Sequence, residues 1–231
     1  PHRGRILDNC QHVLMGCCTN LMDLYRKLGV QGHIQWHRKL YFAGPQVAGL
    51  GLWADRRGDG EWIIDVLEAD DLPAPLHMVQ ALMRFGTLKM AEKVAVARGM
   101  LKILRLGKAG RESLSDQSFL DWLVAQQQPA GAIEKFWALI IISALNELPQ
   151  HASAAYAMQV FQDGFLANEQ AYVMGLASVP LLRLYDPAQQ VIEAAGGQVL
   201  FGARADRFEY QANGRRQAGR VVALHLAGGT R

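Results

Sequence analysis

Arg5-Ile6-Leu7-Asp8-Asn9-Cys10-Gln11-His12-Val13-Leu14-Met15-Gly16 opens the chain with a short extended run, a polar turn and the first apolar residues of a helix. Its pattern predicts an extended piece over 5–8 and a helix from about Val13 to Leu28, stopped by Gly29. A strand-to-helix turn presents free backbone N–H groups and the positive end of a helix, which attract anions and electron-rich rings. Asp8, Gln11 and His12, packed there, could hydrogen-bond a cofactor or move a proton. A plainer reading is also open, because Asp8 and Asn9 are ordinary turn residues.

Downstream, Ile34–Phe42, Val47–Ala54 and Glu61–Val66 read as strands, with turns at Ala43-Gly44-Pro45 and Arg57-Gly58-Asp59-Gly60. Leu72-Pro73-Ala74-Pro75 then breaks the pattern, since the residue before a proline is barred from helix. Helices are expected over Leu76–Phe85, Leu88–Leu106, Asp116–Gln126, Ala130–Leu145 and Ala152–Phe165. A last helix is signalled by Asp186-Pro187-Ala188-Gln189, with Asp186 as cap, Pro187 in the first turn and Gln189 at the capping-box position, and Gly196-Gly197 ends it. Gln198–Tyr210 and Arg220–Leu226 read as a hairpin around Ala212-Asn213-Gly214. Strands thus flank a helical block, an α+β arrangement.

The whole chain has 231 residues, 50% of them apolar and 19% charged, enough for a substantial core and too apolar for disorder. The longest apolar run, Phe136 to Leu145, is about half of what a bilayer requires. Cys10, Cys17 and Cys18 are too few and too clustered for a disulfide framework, which favours a reducing compartment and a cytoplasmic location. Cys17-Cys18 cannot form a C-x-x-C pair and reads as structural rather than reactive. The chain begins at Pro1 and ends soon after a strand-like run, so it reads as a segment cut from a longer protein.

Net charge is +3, which argues against a nucleic-acid partner. The charge is unevenly spread, however. Residues 76–111 carry eight basic residues and one acid, Glu92, which makes this stretch +7 and leaves the remainder at −4. Apolar residues alternate with the basic ones, as in a helix lying on an anionic membrane surface or in a solvated helix over a core. The first of these readings would place the protein peripherally on the inner face of the cytoplasmic membrane.

Chemistry-bearing motifs are scarce. There is no G-x-G-x-x-G after a strand, no P-loop, no H-E-x-x-H and no C-x-x-C. The histidines at 33, 37, 77, 151 and 225 lack metal-ligand spacing, so no metal is expected and they read as structural or exposed. Phe136-Trp137 and the run to Leu145 end in Asn146, which suits either a core helix with an Asn C-cap or an apolar pocket wall with one polar group.

These stretches carry a resemblance. Residues 5–16 resemble the D-N-G-Q-H-x-x-x-G stretch of the squalene-associated FAD-dependent desaturases, also called hydroxysqualene dehydroxylases, of squalene and hopanoid synthesis. Leu72-Pro73-Ala74-Pro75-Leu76-His77 is similar to that family's L-P-A-P-L-H motif, and Phe136-Trp137 with Ala144-Leu145-Asn146 to its F-W-x-P-L…A-L-N motif. Val179-Pro180-Leu181, Asp186-Pro187-Ala188 and Gly196-Gly197 resemble the segment leading back to the flavin domain. Cys10 stands where the family has Gly, and Ala138-Leu139 where Pro-Leu is usual.

The family belongs to the amine oxidase and phytoene desaturase superfamily. The resemblance therefore implies an internal piece of a fold that pairs an interrupted FAD domain with a substrate domain of helices and mixed sheet. Residues 1–30 would be the junction from the FAD domain, 31–190 the substrate domain and 191–231 the return to the FAD domain. It implies FAD as cofactor, with Asp8, Gln11 and His12 near the flavin ring and Ala205 on the strand that contacts the adenine. His12 and then Asp8 would be the polar groups at the reacting centre, and Trp137, Ile141 and Asn146 would line a pocket for a long isoprenoid lipid. The implied reaction is dehydroxylation of hydroxysqualene to squalene by hydride from reduced flavin. The alternatives are a carotenoid-type desaturase, running the hydride from substrate to FAD, and a non-catalytic lipid-binding fragment. The piece alone is expected to be inactive.

Overall fold

A computed structural model describes residues 8, 12–45, 62–213 and 217–227. The chain divides into two compact units, Pro1–Leu184 and Tyr185–Arg231.

The first unit starts with β1 (Leu14–Met15) and α1 (Thr19–Lys27), followed by β2 (Ile34–His37), β3 (Lys39–Pro45) and β4 (Trp62–Glu68). The helical block then comprises α2 (His77–Arg84), α3 (Met90–Glu112), α4 (Phe119–Ala125), α5 (Ala130–Ala132), α6 (Ala138–Leu145) and α7 (Ala154–Phe161). After it come β5 (Met174–Ala177) and, at the boundary, the short α8 (Leu182–Tyr185). The second unit holds α9 (Pro187–Ala194) and a hairpin of β6 (Ala205–Asn213) and β7 (Gln217–Leu226).

The helical block is where the core sits. Phe119, Phe136, Trp137 and Phe161 form one aromatic cluster, with Trp137 and Phe161 edge-to-face at 4.8 Å between ring centres. Offset and edge-to-face arrangements of this kind contribute beyond the area they bury. The expected helix over Ala130–Leu145 is divided by a π-helical turn, Ile133–Trp137, and a second π turn, Gln162–Leu166, follows α7. Both turns carry core aromatics: Phe136 and Trp137 in one, Phe165 in the other. A π turn adds one residue to the local repeat and re-aims the side chains that follow it.

The described residues depart from the sequence expectation at several points. The stretch from Val13 is not the start of a helix: Leu14 and Met15 pair antiparallel with Met174 and Gly175, and α1 begins only at Thr19. The cause is β5, a four-residue strand without a strong sequence signal, which also pairs with β2 to give the sheet order β1-β5-β2. The single strand expected over Ile34–Phe42 is two, separated at Arg38 and belonging to different sheets, and Ala43-Gly44-Pro45 continues β3 opposite Trp62–Ile64 of β4. Every described strand pairing is antiparallel, so the mixed sheet is not seen among the described residues. Asp186 makes no side-chain capping hydrogen bond, because α8 runs directly into it and its backbone is already helical (φ −47°, ψ −41°). The expected strand Val47–Ala54, the turn at 57–60, the extended piece before Asp8, Cys10 and the centre of the Asn213-Gly214 turn lie outside the described residues.

Candidate functional site

Asp8 is held by the far end of the first unit's sequence. Both of its carboxylate oxygens accept the backbone N–H of Leu181, at 3.1 Å each. A carboxylate bound to a backbone N–H makes a charge-assisted hydrogen bond. Behind it, β1 lies on β5, and the Gly16 N–H donates to Val173 O at 2.9 Å. A Cβ on Gly16 would stand 1.9 Å from the carbonyl oxygen of Gln170, so only glycine permits this approach. Two stretches separated by more than 160 residues, the polar turn and Val179-Pro180-Leu181, are thereby joined. His12 is exposed on the same segment; Gln11 lies outside the described residues.

Cys17 follows directly. Burial, reinforced by the neighbouring Cys18 thiol, pushes its pKa up to about 11. A thiol held that far above neutral pH stays protonated and inert, as the structural reading of Cys17-Cys18 requires.

The stretch ending in His77 packs where β4 leaves its sheet. His77 is fully buried, and neither of its ring nitrogens has a hydrogen-bond partner among the described residues. Burial holds its pKa below the usual histidine value; Arg38 pushes the same way and Glu169 opposes. Its ring lies 6.1 Å from that of Tyr172, whose hydroxyl accepts the Ala69 N–H at 3.2 Å. Beside this cluster, an open cavity of about 550 Å³ is lined by Arg38, Glu68, Ala69, Asp70, Asp71 and Arg84. Its charged side chains are already paired, Glu68 with Lys39 of β3 at 3.6 Å. Arg84 donates to Asp70 Oδ1 at 3.0 Å and to Glu68 O at 3.1 Å, and Arg38 donates to Asp71 Oδ1 at 3.1 Å. A hydrogen bond with Tyr172 is the main cause that holds the Arg38 pKa above its ordinary value. The second oxygen of Asp70, Oδ2, is buried without a partner among the described residues. Composition gives this cluster no signal; only the position of His77 at the end of a proline-punctuated motif marks it.

The residues expected to line a lipid pocket do not share one surface. Trp137 and Ile141 are fully buried in the helical core. The Trp137 indole N–H donates to Gln128 Oε1 at 2.9 Å, and Gln128 Nε2 donates to Ala95 O at 2.8 Å. Gly99 makes room for the indole, because a Cβ there would stand 2.8 Å from Trp137 Cζ2. Asn146 is exposed and takes the left-handed conformation (φ 52°, ψ 34°) that ends α6, the capping role. Ala205 begins β6 in the second unit.

The site therefore offers an exposed polar edge at Asp8 and His12. That edge presents a carboxylate and an imidazole to solvent. Among the described residues no cluster of His, Cys, Asp and Glu could hold a metal ion.

No family model matches the chain. It is 23% identical over 216 residues to the 15-cis-phytoene desaturase of Synechococcus elongatus, covering 92% of this chain and 43% of that protein. It is 27% identical over 207 residues to the chloroplastic/chromoplastic 15-cis-phytoene desaturases of Solanum lycopersicum and Capsicum annuum, covering 88% of this chain and 33% of each. The chain thus spans between a third and somewhat under half of the length of these relatives.

Proposed function

We propose that this chain is the substrate-binding part of an FAD-dependent oxidoreductase that acts on a long isoprenoid lipid. The observation that carries the reading is the similarity to phytoene desaturases along about nine-tenths of the chain. The ordered motifs from Asp8 to Gly197 support it independently. The cofactor is FAD, which supplies or accepts a hydride when bound. The relatives favour the desaturase direction, from substrate to cofactor.

A second reading, dehydroxylation of hydroxysqualene to squalene in squalene or hopanoid synthesis, is favoured by the L-P-A-P-L-H stretch at 72–77 and by the pairing of Phe136-Trp137 with Ala144-Leu145-Asn146.

In this reading residues 1–30 join the FAD domain, 31–190 bind substrate and 191–231 return to the FAD domain. Asp8 orients the polar turn through its bonds to the Leu181 N–H. His12, exposed beside it, is the group placed to hold or deliver a proton, and Gln11 completes the hydrogen-bonding edge. Ala205 lies on the strand that meets the adenine. Trp137 and Ile141 act from within the core by fixing the helices that would wall the lipid site, and Asn146 by ending α6.

The test is product analysis with the intact protein, incubated separately with phytoene and with hydroxysqualene. New conjugated double bonds in phytoene support the desaturase reading, and squalene from hydroxysqualene supports the second. A protein that converts neither and holds no flavin overturns the proposal.

A further inference from the structure

α3 runs through a glycine that breaks it. At Gly107 the backbone takes φ 60° and ψ −169°, a region open to glycine alone, and the helix resumes beyond it to Glu112. Nothing lies within 4 Å of where a Cβ on Gly107 would stand, so the backbone, and not crowding, demands the glycine. A break of this kind frees carbonyls that a continuous helix would use itself. Gln162 takes them up. Its Nε2 donates to Ile103 O at 2.7 Å and to Gly107 O at 3.2 Å, and its Oε1 accepts Arg111 Nη1 at 2.7 Å. One carboxamide thereby holds α3 on both sides of the break. Arg111 is buried, and its anionic neighbour, Asp163 Oδ1 at 3.5 Å, directly follows Gln162 in the chain.

Gln162 is also the first residue of the π turn that follows α7. A π turn carries one residue more than the regular helix around it, a shift of register worth about 100° around the axis. It sets the angle between Gln162, which faces the break, and Phe165, which faces the aromatic core. Two irregularities of the helical block thus meet at one side chain, and each supports the other. The π turn aims Gln162 at the break, and the bonds to the break hold the π turn. The middle of the turn lies against β1, because a Cβ on Gly164 would stand 3.1 Å from Met15 Cε.

We propose that Gly107, Gln162 and the π turn form a single two-state hinge. In the latched state, the one the structure holds, Gln162 bridges a bent α3. In the released state α3 is continuous over Gly107, with Ile103 O bonded inside the helix, and the turn after α7 becomes regular helix. Release withdraws Gly164 from Met15 and loosens the footing of β1, next to the polar edge at Asp8 and His12. That last consequence bears on the site only under the functional reading above; the hinge itself does not depend on it.

The test is native-state hydrogen exchange of the intact protein, read by mass spectrometry on peptides over residues 103–112, 162–167 and 138–145. In wild type the first two segments are expected to open together with the same protection, and more readily than the third, which is α6 in the core. Gln162→Leu is expected to speed exchange of both hinge segments at least tenfold, since it removes three hydrogen bonds worth roughly two- to tenfold each. Gly107→Ala is expected to do the same by roughly tenfold, because only the bent state strains an alanine. Both variants should leave α6 at its wild-type rate. The decisive sign is reciprocity: a change on α3 opens the π turn, and a change in the π turn opens α3. A substitution whose effect stays on its own element overturns the proposal. So do hinge segments that exchange independently in wild type, or only together with α6 in global unfolding, which is the behaviour of a static clamp. Where a variant fails to fold, as read by circular dichroism, the wild-type comparison alone decides. Flavin absorbance is measured in the same samples, so a colourless protein whose two segments still open together counts against the functional reading alone.

Discussion

Gln128 and His77 are both buried polar side chains in the first unit, but they differ in what surrounds them. Gln128 spends its carbonyl on the Trp137 indole and its amide on Ala95 O. His77 spends neither ring nitrogen among the described residues, and the nearby Asp70 Oδ2 is likewise without a partner. A buried polar group with its bonds made specifies one packing; one without them subtracts from stability. The first pattern marks scaffold. The second marks a place where the protein tolerates a cost, which is where functional groups concentrate.

The sharpest break of this contrast is at the scaffold end. Trp137→Ala should lower unfolding free energy by about 3–5 kcal/mol, because it empties the centre of the aromatic core and strands the Gln128 carboxamide. Urea unfolding of the intact protein measures it, and a loss below about 1 kcal/mol would mean that the indole is not packed as described. Gln128→Leu should follow at about 1–3 kcal/mol, the cost of one buried indole N–H left without an acceptor.

His77→Phe should leave stability unchanged or raise it by up to about 1 kcal/mol at pH 8, since no hydrogen bond is lost and two unsatisfied ring nitrogens are removed. Its effect should appear instead in the pH dependence. The folded state holds the His77 pKa below its unfolded value of about 6.5, so the unfolded chain binds the proton more readily. Wild type should therefore be fully stable above about pH 6.5 and lose stability as pH falls toward the lowered folded pKa, whereas His77→Phe should show a shallower decline. Parallel pH profiles would contradict the burial of a neutral imidazole. The smallest change serves as the exposed baseline: Asn146→Gly should shift stability by no more than a few tenths of a kcal/mol, because glycine also accepts the left-handed backbone that ends α6.

The helical block was legible in the sequence because its periodicity is strong. α2, α3, α4, α6 and α7 all fall within the expected segments apart from the extension of α3 past Leu106; a hairpin follows as expected, but its first strand begins at Ala205 rather than Gln198 and runs on through Asn213. What the sequence concealed depended on partners distant in the chain. β1 is two residues long and exists only because β5 is there to pair with it. The π turns at Ile133–Trp137 and Gln162–Leu166 arise from core packing and have no sequence period of their own. The same holds for the site. The bond from Leu181 to Asp8 joins two motifs whose proximity no spacing reveals. The basic stretch was visible as a charge run, but which of its cations are surface and which are core emerges only from the packing of Lys93 and Arg111.

The most direct test of the account is the anaerobic visible spectrum of the purified intact protein during titration. A flavin band is expected in the protein as isolated. Phytoene is expected to bleach this band in the desaturase direction, or hydroxysqualene to restore it after chemical reduction if the second reading holds. A colourless protein, or a flavin band that responds to neither lipid, would contradict the account.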